Sequence, residues 1–411
     1  MQVSVRKAGI KRIAAALAAF AIFAFNHGRL MTEFRNAPEV FYAESESSLY
    51  ERLGGYGLPG SVSIAAVNSG DEKLGRSDVS FKLFNALPMK RIPAYIGERA
   101  EVVPGGDPVG ISIYTDGVLV VGTGGFVSSD GRRVSPASDA GFQAGDVIFS
   151  VNGSPVASSD ELEAAFESGG NEAAVEAERG GKRFTVTVMP AKDEGGSVRI
   201  GAWVRDSTVG VGTLSFCDPD TGLIAALGHP VIDADTGAMI SVSDGKLVAA
   251  SILGVTKGRQ GVPGELHGTF DSSSAEYGIV SANTELGVFG SASQSCPLLC
   301  GDEIPVAFPD EVHTGEAVIL SSASGIVEEY SCRIVKTGRQ NAPAPKGIVV
   351  EITDRRLIEL TGGIVQGMSG SPILQDGRLV GAVTHVFIND PLKGFGAYAY
   401  WMYKESEGGD R

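Results

Sequence analysis

The sequence predicts a mainly β protein, and three observations carry that prediction. Its 411 residues include 56 Gly spread along the chain and only 7% aromatics. Short Val/Ile/Leu runs bounded by turn residues recur throughout, which suits many short strands joined by tight turns better than long helices. Beyond about Gly195 this texture continues for roughly 215 residues, about the size of one all-β, two-barrel unit, in a chain long enough for two or three domains.

The first element is an address. Arg6, Lys7, Lys11 and Arg12 precede the apolar run Ile13 to Phe25, the charge-then-apolar order of an export signal. Thirteen helical residues span about 20 Å, short of the roughly 30 Å of a hydrocarbon core. Residues 1–30 are therefore expected to be a signal peptide or a membrane anchor, and no small-x-small cleavage site follows, which favours the anchor. Residues 31–100 come next as a polar tether from Met31 to Gly60 and a small β region, in which "VSIAAVN" and "VSFKLFNALPMKRIPAYI" alternate apolar and polar residues.

Charge and cysteines exclude two classes of function. A net charge of -15 with no Lys/Arg cluster beyond the N-terminus argues against a nucleic-acid partner. Cys217, Cys296, Cys300 and Cys332 lack zinc-like spacing with each other or with His, so neither a metal site nor another cofactor is expected. A disulfide is compatible with export, but sequence alone does not pair them.

Residues 101–192 carry a different pattern. "PVGISIYTDGVLVVG" gives two short strands, and "SPASDAGFQAGDVIFSVNGSPVASSDELEAAFESGG" gives a turn, a short helix, a strand ending in Asn152-Gly153, and an amphipathic helix. A hairpin turning at Gly180-Gly181 closes the region. "AGFQAGDVIFSVNGSPV" resembles the core of a PDZ domain, a module that captures an extended peptide by strand addition while backbone N–H groups hold its carboxylate. By that resemblance Val109, Gly110, Ile111, Ser112 and Ile113 would form the carboxylate loop and edge strand. The ligand would be a peptide C-terminus or part of the chain itself.

Residues 193–411 contain the chemistry. A serine attacks a carbonyl only if a base takes its proton, a third group orients the base, and backbone N–H groups face the oxyanion. In "GMSGSPILQDGRLVGAVTHVF", Gly367 frees the backbone so that the N–H groups of Gly367 and Ser369 can converge as an oxyanion hole. This stretch resembles the nucleophile loop and following hairpin of trypsin-like serine peptidases, with Ser371 in place of the usual second Gly. Ser369 is the expected nucleophile and Ser371 its rival. Thr384 and His385, at the end of the cleft-lining strand, are candidates for substrate contact. His229, at the end of the apolar strand "LIAALGHPV", is the favoured base, with His267, His313 and His385 as alternatives. Asp354, Asp233 and Asp235 remain open as the third member, the latter pair also reading as turn residues in "DADTG".

Together the signal-like N-terminus, the PDZ-like module, "LGHPVIDADTG" and "GGIVQGMSGSPILQDGRLVGAVTHVFINDP" closely resemble the stage IV sporulation protein B peptidase family, across residues 80 to 403. The resemblance implies a PDZ domain followed by a trypsin-like double β-barrel, with Ser369, His229 and Asp354 as catalytic residues. It also implies a serine endopeptidase of intercompartmental signalling, exported into the space between the two forespore membranes. Such an enzyme cleaves itself and then the extracytoplasmic part of a membrane-bound regulatory protein, activating intramembrane processing of a late sporulation sigma factor. High-temperature-requirement proteases place PDZ after the peptidase, the reverse of the order expected here. The non-enzymatic alternative is a catalytically inactive, membrane-tethered PDZ scaffold.

Overall fold

The computed structural model describes residues 40–54, 62–67, 76–83, 87–271, 273–340 and 342–407. The expected address, Arg6 to Phe25, lies outside the described residues, as does His27. The chain divides into two compact units, Met1–Arg99 and Ala100–Arg411.

In the first unit, strand β1 (Phe41–Ala43) lies parallel to β4 (Leu87–Ile96). Strand β4 continues antiparallel into β3 (Arg76–Leu83) and β2 (Val62–Val67). Helix α1 (Glu46–Gly54) follows β1. Its Leu49 and Leu53, four residues apart and so on one helical face, bury with Phe41, Val79, Phe81 and Ile92. The segment read as an irregular tether is thus partly ordered, because Leu49 and Leu53 give it an apolar face that the surrounding polar residues masked.

The second unit holds two six-stranded barrels and an inserted module. The first barrel runs β6 (Pro108–Thr123), β12 (Asp244–Ala249), β13 (Glu276–Thr284), β14 (Gly287–Ala292), β11 (Leu223–Ala226) and β10 (Ala202–Asp218), and closes where β10 pairs with β6. Short strand β5 (Glu101–Pro104) pairs with the far end of β10. Val109, Ile111, Ile113, Leu214, Ile224 and Leu247 fill the barrel. The second barrel runs β15 (Gly315–Ser321), β16 (Glu328–Thr337), β17 (Ile348–Ile352), β20 (Asp390–Tyr398), β19 (Arg378–Phe387) and β18 (Pro372–Gln375), closing from β18 to β15. Closure removes unpaired edges from both sheets.

The PDZ module is inserted in the first barrel. Strand β6 forms barrel wall up to Tyr114, bends at Asp116-Gly117, and continues as module strand Val118 to Thr123. Gly117 has φ +88, and a Cβ there would stand 2.6 Å from the Ile148 carbonyl oxygen, so only Gly fits the bend. The module then adds β7 (Val147–Val151), α2 (Ser159–Ser168), β8 (Ala173–Arg179) and β9 (Lys182–Val188). The chain re-enters through the first residues of β10, and Ser207 pairs with Tyr114 as the barrel resumes. This corrects the expected order of a PDZ domain at 101–192 followed by a peptidase at 193–411: residues 101–114 are barrel, and each boundary runs through a continuous strand.

Candidate active site

Ser369 sits on a loop between α3 (Arg355–Thr361) and β18 that both barrels hold through main-chain contacts. From the first barrel, Thr213 N–H donates to the Ser369 carbonyl at 3.0 Å and Thr213 Oγ1 donates to the Gly367 carbonyl at 2.7 Å. From the second, Gly370 N–H donates to Val383 O at 2.8 Å. The approach is so close that a Cβ on Gly370 would lie 2.2 Å from Thr213 O. Among the described residues, neither Gly367 N–H nor Ser369 N–H has a backbone partner, whereas those of Met368, Gly370 and Ser371 are all bonded. Both open N–H groups belong to residues lining one cavity.

That cavity, about 840 Å³ between the barrels, also receives Leu227, His229, Thr384 and His385. The Ser369 hydroxyl donates to the Thr384 carbonyl at 3.0 Å, a resting arrangement from which rotation about one side-chain bond is needed to reach a base. His229 enters from the end of β11 and is half-buried. Its Nδ1 lies 2.9 Å from the Pro230 carbonyl oxygen. A carbonyl only accepts, so Nδ1 bears the proton and Nε2 of the neutral ring carries the lone pair, the tautomer a general base requires. Burial lowers the His229 pKa below its ordinary 6.5, outweighing the Pro230 hydrogen bond, which favours the cation. The ring of His385 stands 5.1 Å from that of His229 between centroids. Partial burial, then the charges of His229 and Lys346, push His385 down to about 4.

The other candidates divide cleanly. Ser371 is fully buried, and its hydroxyl is not part of the cavity. His267 bonds Thr256 at 2.6 Å and His313 pairs with Asp376 at 2.9 Å, both away from the cavity lining. Asp354 is not brought to His229. It caps α3 by accepting from Arg356 N–H at 2.8 Å, also takes Ser331 N–H at 3.3 Å, and pairs with the Arg356 guanidinium at 3.0 Å. The guanidinium holds its carboxyl below the usual carboxylate range, although partial burial opposes this. The expected triad is therefore not assembled, because this carboxylate is engaged by its own helix. Asp233 is buried in the turn that follows His229, accepting from Thr236 N–H and Oγ1 at 2.8 and 2.9 Å and pairing with Arg205, which also meets Asp235 at 2.7 Å. Burial would raise the Asp233 pKa, but the Thr236 bonds and Arg205 outweigh it. These two acids shape the loop and do not contact the His229 ring.

Val109 to Ile113 cannot be the peptide-binding edge of the PDZ module. Strand β6 is paired along them by β10 on one side and β12 on the other, and Val109, Ile111 and Ile113 are core residues. An open groove of about 350 Å³ lies instead between α2 and the start of β10, lined by Phe126, Leu162, Phe166, Ile200, Ala202 and Val204. Among the described residues, Ala202 to Arg205 pair on one side only, with β6. The signal was present as "RIGAW", a Gly between apolar residues, but it lies past the point where the module was closed.

The sequence profile of the SpoIVB peptidase S55 family matches residues 196–403. The chain belongs to the SpoIVB peptidase family. A PDZ domain profile matches residues 115–189, which begins where β6 leaves the barrel. Similar solved structures include the PDZ domain of an SdrC-like protein from Listeria monocytogenes, at 26% identity over 22% of this chain and 87% of that one, with a TM-score of 0.18. The HtrA-type protease AlgW with decapeptide is similar at 12% identity over 50% of this chain and 55% of its own, with a TM-score of 0.29. The Rv3671c protease from M. tuberculosis in its active form matches at 17% identity over 48% and 72%, with a TM-score of 0.27. No curated protein matches the chain. The protein is a serine peptidase of the SpoIVB family, mainly β, with a PDZ domain that binds peptide.

Proposed function

We propose that this SpoIVB-family peptidase is exported, that Ser369 is its nucleophile and that His229 is the base acting through Nε2. Gly367 and Ser369 N–H groups receive the oxyanion, and Thr384 and His385 flank the bound substrate. The observation that carries this reading is one cavity holding Ser369, a histidine in the base tautomer, and two open N–H groups. Attack joins Ser369 Oγ to the scissile carbon as its proton passes to His229 Nε2. Collapse of the tetrahedral intermediate then expels the amine, which takes that proton. Asp354 serves this chemistry indirectly, by capping the helix that leads into the nucleophile loop.

The groove between α2 and β10 takes a peptide end, from a partner or from the chain itself. The family's role in sporulation supports a membrane-bound regulatory protein as substrate, with release of a late sigma factor downstream and the forespore intermembrane space as the site of action. The N-terminal basic and apolar order supports membrane attachment, and self-cleavage is expected in the polar stretch that follows it.

The test uses the full-length chain as wild type, Ser369→Ala and His229→Ala, treated with a fluorophosphonate probe and followed for self-cleavage by mass spectrometry. Wild type should label and trim itself, and both variants should do neither. Wild-type labelling that survives Ser369→Ala would refute the nucleophile. Absence of labelling in folded wild type, with PDZ-binding peptides present, would favour the inactive scaffold.

A further inference from the structure

Among the described residues nothing acidic hydrogen-bonds His229, yet its ring is held in one tautomer, and the hydrogen bonds around it show how. The group that accepts from Nδ1 is the Pro230 carbonyl, at 2.9 Å. That carbonyl shares a planar peptide unit with Val231 N–H, and in a trans peptide the two point in opposite directions. Val231 N–H donates at 2.8 Å to Oδ1 of Asn283, near the end of β13. The Asn283 Nδ2 group donates its two hydrogens to Val231 O and Ile240 O, each at 2.8 Å. The amide is half-buried, and three bonds to main chain fix both its position and which end carries oxygen.

We infer that Asn283 is the positioning residue for the base, setting the orientation and tautomer of His229 through the Pro230–Val231 peptide group. The relay runs from Asn283 Oδ1 to Val231 N–H, across the peptide to Pro230 O, and from there to His229 Nδ1–H. Aligned hydrogen bonds across a peptide polarise one another, so the bond from Val231 strengthens the acceptor that faces the imidazole. When Nε2 takes the serine proton, the resulting cation is stabilised by the same carbonyl. Asn283 also ties the two arms of the loop together, since Val231 and Ile240 lie at its opposite ends and Ile240 N–H donates to Val231 O at 3.2 Å. The amide chemistry is specific. Ala leaves Val231 N–H and Ile240 O without this partner and Val231 O with Ile240 N–H alone, whereas Asp keeps the acceptor for Val231 but turns an acceptor toward two carbonyls.

This inference rests on His229 being the base, and the test separates the two ideas. Nitrogen-15 NMR of His-labelled full-length protein, with His229→Ala to assign the ring, should show His229 protonated at Nδ1 in the neutral form. An Nε2-protonated ring overturns the relay whatever the enzyme's activity. Asn283→Ala should slow fluorophosphonate labelling per folded molecule about 10- to 100-fold, the scale seen when outer-shell partners that orient a metal-ligating His are removed. Turnover should fall in kcat with KM little changed. Asn283→Asp, which preserves the bond to Val231, should label faster than Asn283→Ala even where its melting temperature is lower, an inversion that a purely structural role would not produce. Should Asn283→Ala fail to fold, the Asp variant and the wild-type tautomer still decide the matter. Wild-type labelling rates in both variants refute the role of Asn283, whereas wild-type labelling in His229→Ala refutes the base itself.

Discussion

The two barrels hold their halves of the active site by different means. The second barrel's nucleophile loop is fixed mainly by main chain: Thr213 N–H donates to the Ser369 carbonyl, with its hydroxyl on that of Gly367, Val383 O takes Gly370 N–H, and Met368 beneath is fully buried. The first barrel's histidine segment is fixed by side chains, with Asn283 clamping Val231 and Ile240, and Arg205 pairing with Asp233 in the turn beyond. Main-chain bonds survive most substitutions, while a side-chain clamp is lost with one. His229 is therefore the half of the candidate site that single changes can move, and Ser369 is the half that resists them.

Four experiments would break or sharpen that contrast, beginning with the largest effect. Ser369→Ala and His229→Ala should each lower kcat by about a millionfold, the scale seen when members acting as a unit are removed. A much smaller loss for His229→Ala, measured on the same peptide substrate, would put the base elsewhere. Thr213→Val removes the side-chain bond to the Gly367 carbonyl while keeping the main-chain bond to Ser369. It should cost about 1 kcal/mol, somewhat under tenfold in kcat/KM. A loss of hundreds-fold would mean that the loop depends on side chains as the histidine segment does.

Asp354→Ala should act as the loss of a helix cap, lowering unfolding free energy by about 1 kcal/mol with less than about a tenfold change in kcat. A fall near 10⁴-fold at unchanged stability would instead mark Asp354 as the orienting acid of a rearranged, active state. The smallest effect concerns pH. Protonation removes the base, and burial sets the His229 pKa below 6.5. Probe labelling should fall to half of its high-pH rate only below pH 6.5, as the cation forms. A decline already centred near pH 7 would show a histidine more solvated than the structure describes.

What the sequence disclosed follows from how local each signal is. Ser369, Gly367 and His229 are legible because each lies in a short run whose own residue types demand a turn or a strand end. Thr213 and Asn283 are not, since one is an ordinary hydroxyl in an apolar strand whose partner lies 154 residues away, and the other reaches across 52. Asp354 read as a triad member through resemblance, but its own Arg356, two residues on, takes the carboxylate in the described state. Val109 to Ile113 alternate as a half-open strand would. Only pairing with β10 and β12, segments 95 and more residues distant, closes both of their edges. The mainly β class and the PDZ domain were visible; the insertion was not, because a strand that serves two domains carries no break in its pattern.

That shared pair of strands also defines how the protein could be taken apart. Cutting the chain at the end of the PDZ profile would strip β6 from the first barrel and leave β10 and β12 with open edges. The natural seam is instead between Tyr114 and Ser207, which face each other in the ladder. Opposed residues in such a ladder are about 5 Å apart, a gap that a two-residue Asn-Gly hairpin spans. The whole inserted module thus occupies the place of one hairpin turn, and joining Tyr114 to Ser207 through such a turn should leave the six-stranded barrel closed without it.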